Sequence, residues 1–365
     1  MKRILPFSLV VCGSILAYAC SSSDSGTTPT TPTNEGGSSG SSGTSGTSGT
    51  SGTSGGPDDS GTDAPVNPSS NPIEGIGAPT EIAALSGIFT DGPIWHTDGL
   101  YFSTYGADGA LVKLTLPNSP NEVHKSVGVG AYQQGNTFDT KTKSFVSLEV
   151  IPGGPSGTLI RTPEAGGAGT PIALSLDAGS VFDAPNDVVA RKDGTLFVTD
   201  PGYQANLTPD KSNHIWRITP TGSVFETQVE GRPNGIALSV DEKTLYVSFT
   251  DPPAPALPNI LKYPVALTDG ALGPSALFAS VGGNKDTTAL DGITVDGSGN
   301  VYAAVKNGVD VFKPDGTKWG HITTTKQATG VALGGTNKKT LFITCGGDNP
   351  MLGGMLQVTV KIAGK

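Results

Sequence analysis

From about residue 79 onward the chain is written in short apolar runs that break at Gly, Pro, Asp or Asn. Leu111-Val112-Lys113-Leu114-Thr115, Leu159-Ile160-Arg161-Thr162, His214-Ile215-Trp216-Arg217-Ile218 and Val309-Asp310-Val311-Phe312 are examples. Asp193-Gly194, Pro220-Thr221-Gly222 and Asp315-Gly316 stand between such runs as turn signals. No stretch sustains a helical period with caps at its ends. The pattern predicts strands joined by tight turns.

A longer pattern lies over the short one. Six times a small or polar opener, usually followed by Gly, leads into an apolar run, a turn and a second β-rich run. The openers are Asp91, Gln134, Asn186, Asn234, Asp291 and Thr329, spaced by 43, 52, 48, 57 and 38 residues. A period in this range predicts a β-propeller. Six repeats of four strands each account for residues 79–365, an all-β six-bladed propeller. Met355 to Val360 alternates as a strand, and Glu81 to Leu85 would add to the same last blade and close the ring.

The N-terminal part has no such pattern. Met1-Lys2-Arg3 precedes a largely apolar stretch from Ile4 to Ala19, which reads as a signal peptide over residues 1–19. Ala17-Tyr18-Ala19-Cys20, followed by a Ser-rich tail, resembles a bacterial lipobox and makes Cys20 the expected lipidation site. The expected location is therefore outside the cytoplasm, with contact to a membrane only through that anchor. Residues 20–78 read as a disordered Gly/Ser/Thr linker: from Ser21 to Pro72 the only aliphatic side chains are Ala64 and Val66. A coil of this kind has an r.m.s. reach on the order of 40 Å, enough to hold a domain clear of a surface.

Charge and cysteine content narrow the field. The chain has 23 basic and 32 acidic residues, and without Lys2 and Arg3 the balance becomes −11. Nucleic acid is disfavoured as a partner. Cys345 is alone in the folded part, so no disulfide forms there, and its place after a β run makes it a core thiol. A monomer is expected.

An isolated Asn-Gly or Asp-Gly is ordinarily a turn. Here Asp91, Asn186, Asn234 and Asp291 occupy the same phase of four blades, so a propeller brings two carboxylates and two amide carbonyls to one mouth of its channel. That donor set suits Ca²⁺ better than Zn²⁺, and no His or Cys is in phase with it.

At these residues the chain resembles the SMP-30/gluconolactonase family of six-bladed, calcium-dependent propellers, over about residues 85–364. The resemblance is carried by Asp91-Gly92-Pro93-Ile94-Trp95, Pro185-Asn186-Asp187-Val188-Val189, Pro233-Asn234-Gly235-Ile236-Ala237, Leu290-Asp291-Gly292-Ile293 and Thr329-Gly330-Val331-Ala332. It implies calcium ligands at Asp91, Asn186, Asn234 and Asp291, with Asn186 also able to contact substrate. Two positions depart from the family pattern: Asp91 stands where Glu is usual, and Gln134 where Asn is frequent.

The resemblance also implies hydrolysis of a lactone or related ester. Asp291 is the candidate base, in addition to its ligand role. Gln134, Glu149, Asp200 and Tyr203 are candidate substrate contacts, and Asp187 a residue that organises the turn behind the ligands. The alternative is a non-catalytic propeller that binds a ligand or protein around a structural calcium. His96, His124, His214 and His321 form no alternative centre, and Trp95, Trp216 and Trp319 read as packing between blades.

Overall fold

A computed structural model describes residues 70–85, 88–97, 99–105, 109–114, 120–125, 131–151, 157–175, 182–203, 213–253, 256–346 and 353–365, with backbone alone at 120–125 and 285. The expected signal peptide, Cys20 and the linker up to residue 69 lie outside the described residues.

Six four-stranded antiparallel sheets are arranged as the blades of a propeller. From the innermost strand outward, the first blade comprises Phe89–His96, Gly99–Tyr105, Ala110–Leu114 and Pro120–Lys125. The second holds Tyr132–Asp139, Ser144–Val150, Gly157–Pro163 and Thr170–Pro171; the third Val188–Ala190, Leu196–Asp200, His214–Ile218 and Val224–Gln228. The fourth holds Arg232–Leu238, Thr244–Asp251, Asn259–Pro264 and Ala276–Ser280; the fifth Ile293–Val295, Val301–Val305, Gly308–Phe312 and Lys318–Thr323. The sixth is composite. Gln327–Gly334, Thr340–Gly346 and Gly354–Thr359 are completed on the outside by Thr80–Ala84, which pairs with the last strand of the chain. Both ends of the propeller thus share one sheet, as the alternation at the two ends predicted.

The hydrophobic core is divided among the six spaces between blades. Val146, Leu148 and Leu159 meet Val188, Val198 and Trp216 between the second and third blades. Tyr302, Val309 and Val311 meet Val331, Leu341 and Ile343 between the fifth and sixth. A middle strand is therefore covered on both faces, so Ser144–Val150 and Val301–Val305 are buried at every position. The outer strand Val224–Gln228 faces solvent on one side and is mostly exposed. Each fully buried Leu or Phe contributes about 1.5–3 kcal/mol relative to exposure.

The tryptophans belong to this packing. Trp95 stacks on Phe342 at 5.3 Å and joins the first and sixth blades, and Trp319 donates to Asn300 Oδ1 at 2.8 Å. Cys345 is fully buried, and burial pushes its thiol up to about 12, so it is an inert core residue. His96 lies against Phe138 and meets Glu164 at 2.6 Å. One boundary differs from the sequence reading. Residues 70–78, placed in the linker by composition, lie on the propeller: Ile73 and Ile76 pack against the core between the fifth and sixth blades, and Pro72 O accepts the Lys361 N–H at 2.9 Å. Two isolated aliphatic side chains suffice because the core edge beneath them is already formed.

Candidate metal centre at the channel mouth

The innermost strands line a cavity of about 240 Å³, with Asp91 and Asp187 toward one end and Trp95, Leu333 and Lys365 toward the other. Near the carboxylate end the ladder between first and second strands is interrupted. Asp91 pairs with Ser103 and the next pair is Ile94 with Tyr101; Gln133 pairs with Glu149 and the next is Asn136 with Ser147; Pro233 pairs with Phe249 and the next is Ile236 with Val247. Such a break lifts the opener out of the pleat and re-aims its side chain.

The glycine after each opener has a steric cause. A Cβ on Gly92 would come within 2.7 Å of Gly135 Cα, and one on Gly235 within 2.6 Å of both Asp291 O and Gly292 Cα. One on Gly292 would reach Gly330 Cα at 2.9 Å. Neighbouring inner strands touch backbone to backbone at this level. The third blade has Asp187 in that position. Its carboxylate accepts the N–H groups of Val188 at 2.8 Å and Ile236 at 3.1 Å, joining the third and fourth blades. Asp187 therefore organises the turn, as expected.

Hydroxyl groups of the second strands fix the openers from behind. Ser103 Oγ donates to Gln134 O at 2.5 Å, Thr199 Oγ1 to Asn234 O at 2.6 Å, and Ser248 Oγ to Asp291 O at 2.8 Å. In each case a hydroxyl of one blade holds the opener of the next. Thr329 Oγ1 donates to Thr90 O at 2.7 Å and closes the circle from the sixth blade to the first. These residues escaped the sequence reading, although the signal is there: Ser103, Ser147, Thr199, Ser248 and Thr344 share one phase of the second run.

The acids crowd one another. Burial raises the Asp91 carboxyl to about 7. Burial, followed by the charge of Asp91, raises Asp187 to about 8. Asp291 is pushed well above the ordinary carboxylate range by burial, then by the charges of Asp91 and Asp187. Asn234 is 6% exposed, hydrogen-bonds with Asp291, and has an Oδ1 that is buried without a partner. Asn186 is buried at the same level, where its carbonyl accepts the Gly135 N–H at 2.8 Å.

No three His, Cys, Asp or Glu side chains among the described residues are grouped to hold an ion. The candidate donor set is accordingly Asp91 and Asp291 with the amide oxygens of Asn186 and Asn234, while Asp187 stands back with its oxygens on backbone N–H groups. One buried and one half-buried carboxylate with an unpaired amide oxygen fit a hard divalent cation, which would relieve the repulsion and satisfy the amide.

The other predicted residues divide. Gln134 is 1% exposed, and its Nε2 is buried without a hydrogen-bond partner. Glu149 is buried and accepts from Gln133 Nε2 at 2.7 Å, an amide the sequence reading did not single out. Tyr203 places its phenol within reach of Asn234, Thr250 and Asp291, and burial raises its ionisation above the usual value. Asp200 does not line the mouth. It is fully buried, accepts the N–H groups of Asp183 and Ala184, both at 2.9 Å, and the Trp216 indole at 3.1 Å. Its carboxylate anchors the segment that leads into Asn186, so the expectation of substrate contact is corrected: the residue ends an inner run, but its side chain turns into the blade.

The family model described as the SMP-30/Gluconolactonase/LRE-like region matches residues 89–347. A gluconolactonase of Zymomonas mobilis is 25% identical over 276 residues, which span 70% of this chain and 76% of that protein. Pentonolactonase XacC of Haloferax volcanii is 30% identical over 183 residues, 47% of this chain and 58% of that protein. Among solved structures, a gluconolactonase of Xanthomonas campestris superposes with a TM-score of 0.63 at 24% identity, covering 80% of this chain and 92% of that one. A regucalcin of Agrobacterium tumefaciens, described as a calcium-binding protein, gives a TM-score of 0.61 at 16% identity, covering 80% and 96%. Both share the fold.

Proposed function

The chain belongs to the SMP-30/gluconolactonase/LRE-like family, and we propose that it hydrolyses a lactone or related small ester at the channel mouth, with calcium held by Asp91, Asn186, Asn234 and Asp291. The gluconolactonase and pentonolactonase relatives support a lactonase-like activity. The observation that carries the metal reading is the mutual repulsion of Asp91, Asp187 and Asp291, together with a buried Asn234 Oδ1 that has no hydrogen-bond partner. When bound, calcium would supply Lewis-acid polarisation of the substrate carbonyl.

The chain's own residues do the rest. Asp291 is partly open to the mouth, whereas Asp91 is buried. Asp291 takes the proton of the attacking water as oxygen adds to the acyl carbon. The bond from that carbon to the ring oxygen then breaks, and the proton passes to the departing alkoxide, giving a hydroxy acid. Gln134 Nε2 has an unused N–H to offer a substrate oxygen, and no existing hydrogen bond has to break for it to do so. Glu149, Asn186 and Tyr203 complete the proposed contacts.

A panel of aldonolactones and simple lactones, followed by acid release, tests the reading. Turnover that disappears on chelation and returns with calcium supports it; turnover indifferent to chelation contradicts it. Calcium binding without turnover on any lactone would favour a binding propeller instead. The proposed N-terminal anchor is tested separately by incorporation of a labelled fatty acid, which Cys20→Ser should abolish.

A further inference from the structure

We infer that Thr250 is a positioning residue that fixes which way the Asn234 amide faces, and so decides whether that side chain can bind a cation. The inference rests on the calcium reading above. Thr250 lies two residues beyond Ser248 on the second strand of the fourth blade, hence on the same face of the sheet. Its Oγ1 is 2.5 Å from Leu290 O and 3.0 Å from Asn234 Nδ2.

A hydroxyl has one hydrogen, and a backbone carbonyl only accepts. The Thr250 hydrogen is therefore committed to Leu290 O. Toward Asn234 the same oxygen can only accept, so the amide must present its NH₂ group there. Leu290 O itself lies 3.5 Å from Nδ2 and is also an acceptor, which reinforces the choice. The orientation of an Asn amide is set by its hydrogen-bond network, and here both neighbours on one side reject Oδ1.

The carbonyl that starts the relay is itself fixed. Leu290 is fully buried in the core between the fourth and fifth blades, and the next N–H, that of Asp291, donates to Ala304 O at 3.0 Å. Oδ1 of Asn234 is thus turned away from Thr250, and it is buried and unpaired. Without the Thr250 acceptor only the longer 3.5 Å contact to Leu290 O is left on that side to select NH₂ over oxygen. A flipped amide would point two N–H groups at the position of a cation and contribute repulsion in place of a ligand.

The test is calcium titration by calorimetry on the whole chain, comparing wild type with Thr250→Val and Thr250→Ser. Valine keeps the shape but neither donates nor accepts, and an outer residue that orients a ligand typically accounts for about 10–100-fold in metal affinity. The valine variant should lose that much, and serine should stay within about threefold of wild type. Melting of calcium-free samples checks that each variant folds, with Thr250→Ala as the substitute if valine does not.

A structural role through Leu290 alone is separated by repeating Thr250→Val in an Asn234→Asp background. There both side-chain oxygens are equivalent and nothing needs orienting, so the loss should shrink to less than about threefold. An equal loss in both backgrounds would overturn the inference. So would wild-type affinity in Thr250→Val. If the wild-type protein binds no calcium at all, the metal reading fails and this inference fails with it.

Discussion

Replacing Gly235 by alanine isolates the contact on which the site geometry depends. Gly235 is not among the residues with positive φ, so alanine meets no backbone penalty there and would by itself stabilise by about 0.4–1 kcal/mol through the unfolded state. Against this stands the new methyl, 2.6 Å from Asp291 O, 2.6 Å from Gly292 Cα and 2.8 Å from Ile293 N. All three are backbone atoms of the fifth blade and cannot rotate away. Ordinary contact begins near 3.4 Å, so the fourth and fifth blades must separate by several tenths of an ångström at the level of Asn234 and Asp291. Overpacking of this kind costs about 1–3 kcal/mol, which outweighs the entropic gain. The expected net loss of about 1–2 kcal/mol lowers the melting temperature by about 2–8 °C. Calcium affinity should fall at least about tenfold, because the proposed ligands Asn234 and Asp291 are pulled apart. The assays are thermal unfolding and calcium titration, with Gly77→Ala as control, since a Cβ there meets nothing within 4 Å. Wild-type melting and wild-type affinity in Gly235→Ala would refute the argument.

Three further outcomes are expected. Because the folded-state carboxyls of Asp91 and Asp187 are raised to about 7 and about 8, the stability they contribute to the calcium-free protein is fully present below about pH 4 and is lost as pH rises through 7 to 8; the gain in melting temperature from calcium should therefore be larger at pH 8 than at pH 5, and an equal gain would contradict this. At Asp139 burial alone would raise the pKa, but bonds from Thr142, Arg161 and the N–H groups of Lys141 and Thr142 outweigh it and hold it low. That stability is present above about pH 4 and is lost as pH falls through the lowered value, so Asp139→Asn should cost about 1.5–3 kcal/mol at pH 7 in denaturant unfolding and progressively less in acid. Asp200→Ala should lower stability through the loss of its three N–H partners, whereas Tyr203→Phe should leave melting nearly unchanged and shift KM for whichever lactone is turned over.

The architecture was legible in the sequence because each blade repeats one statement. Openers in phase, second runs of similar length and alternation at both ends specify six blades and their closure without reference to any one contact. The placement of Asp91, Asn234 and Asp291 followed from the same phase. Asp200 was misread because phase gives the strand end and not the direction of a side chain, and two backbone N–H groups with an indole decide that direction. Gln133 and Thr250 were missed for a related reason: each acts on a residue of a neighbouring strand, Glu149 or Asn234, and register across strands is not written in the spacing along one. The propeller contacts of residues 70–78 were missed because composition weighs Ile73 and Ile76 among many small polar residues, while the structure weighs only what they touch.

The most direct test of the account is lactone hydrolysis by Asp291→Asn at saturating calcium, with occupancy confirmed by calorimetry. Asparagine keeps an oxygen for the ion but cannot accept the proton of the attacking water, and a positioned base accounts for about 10²–10⁴-fold in rate. The account predicts calcium-loaded protein with turnover reduced by at least about a hundredfold. Turnover within a few-fold of wild type in the loaded variant would contradict it.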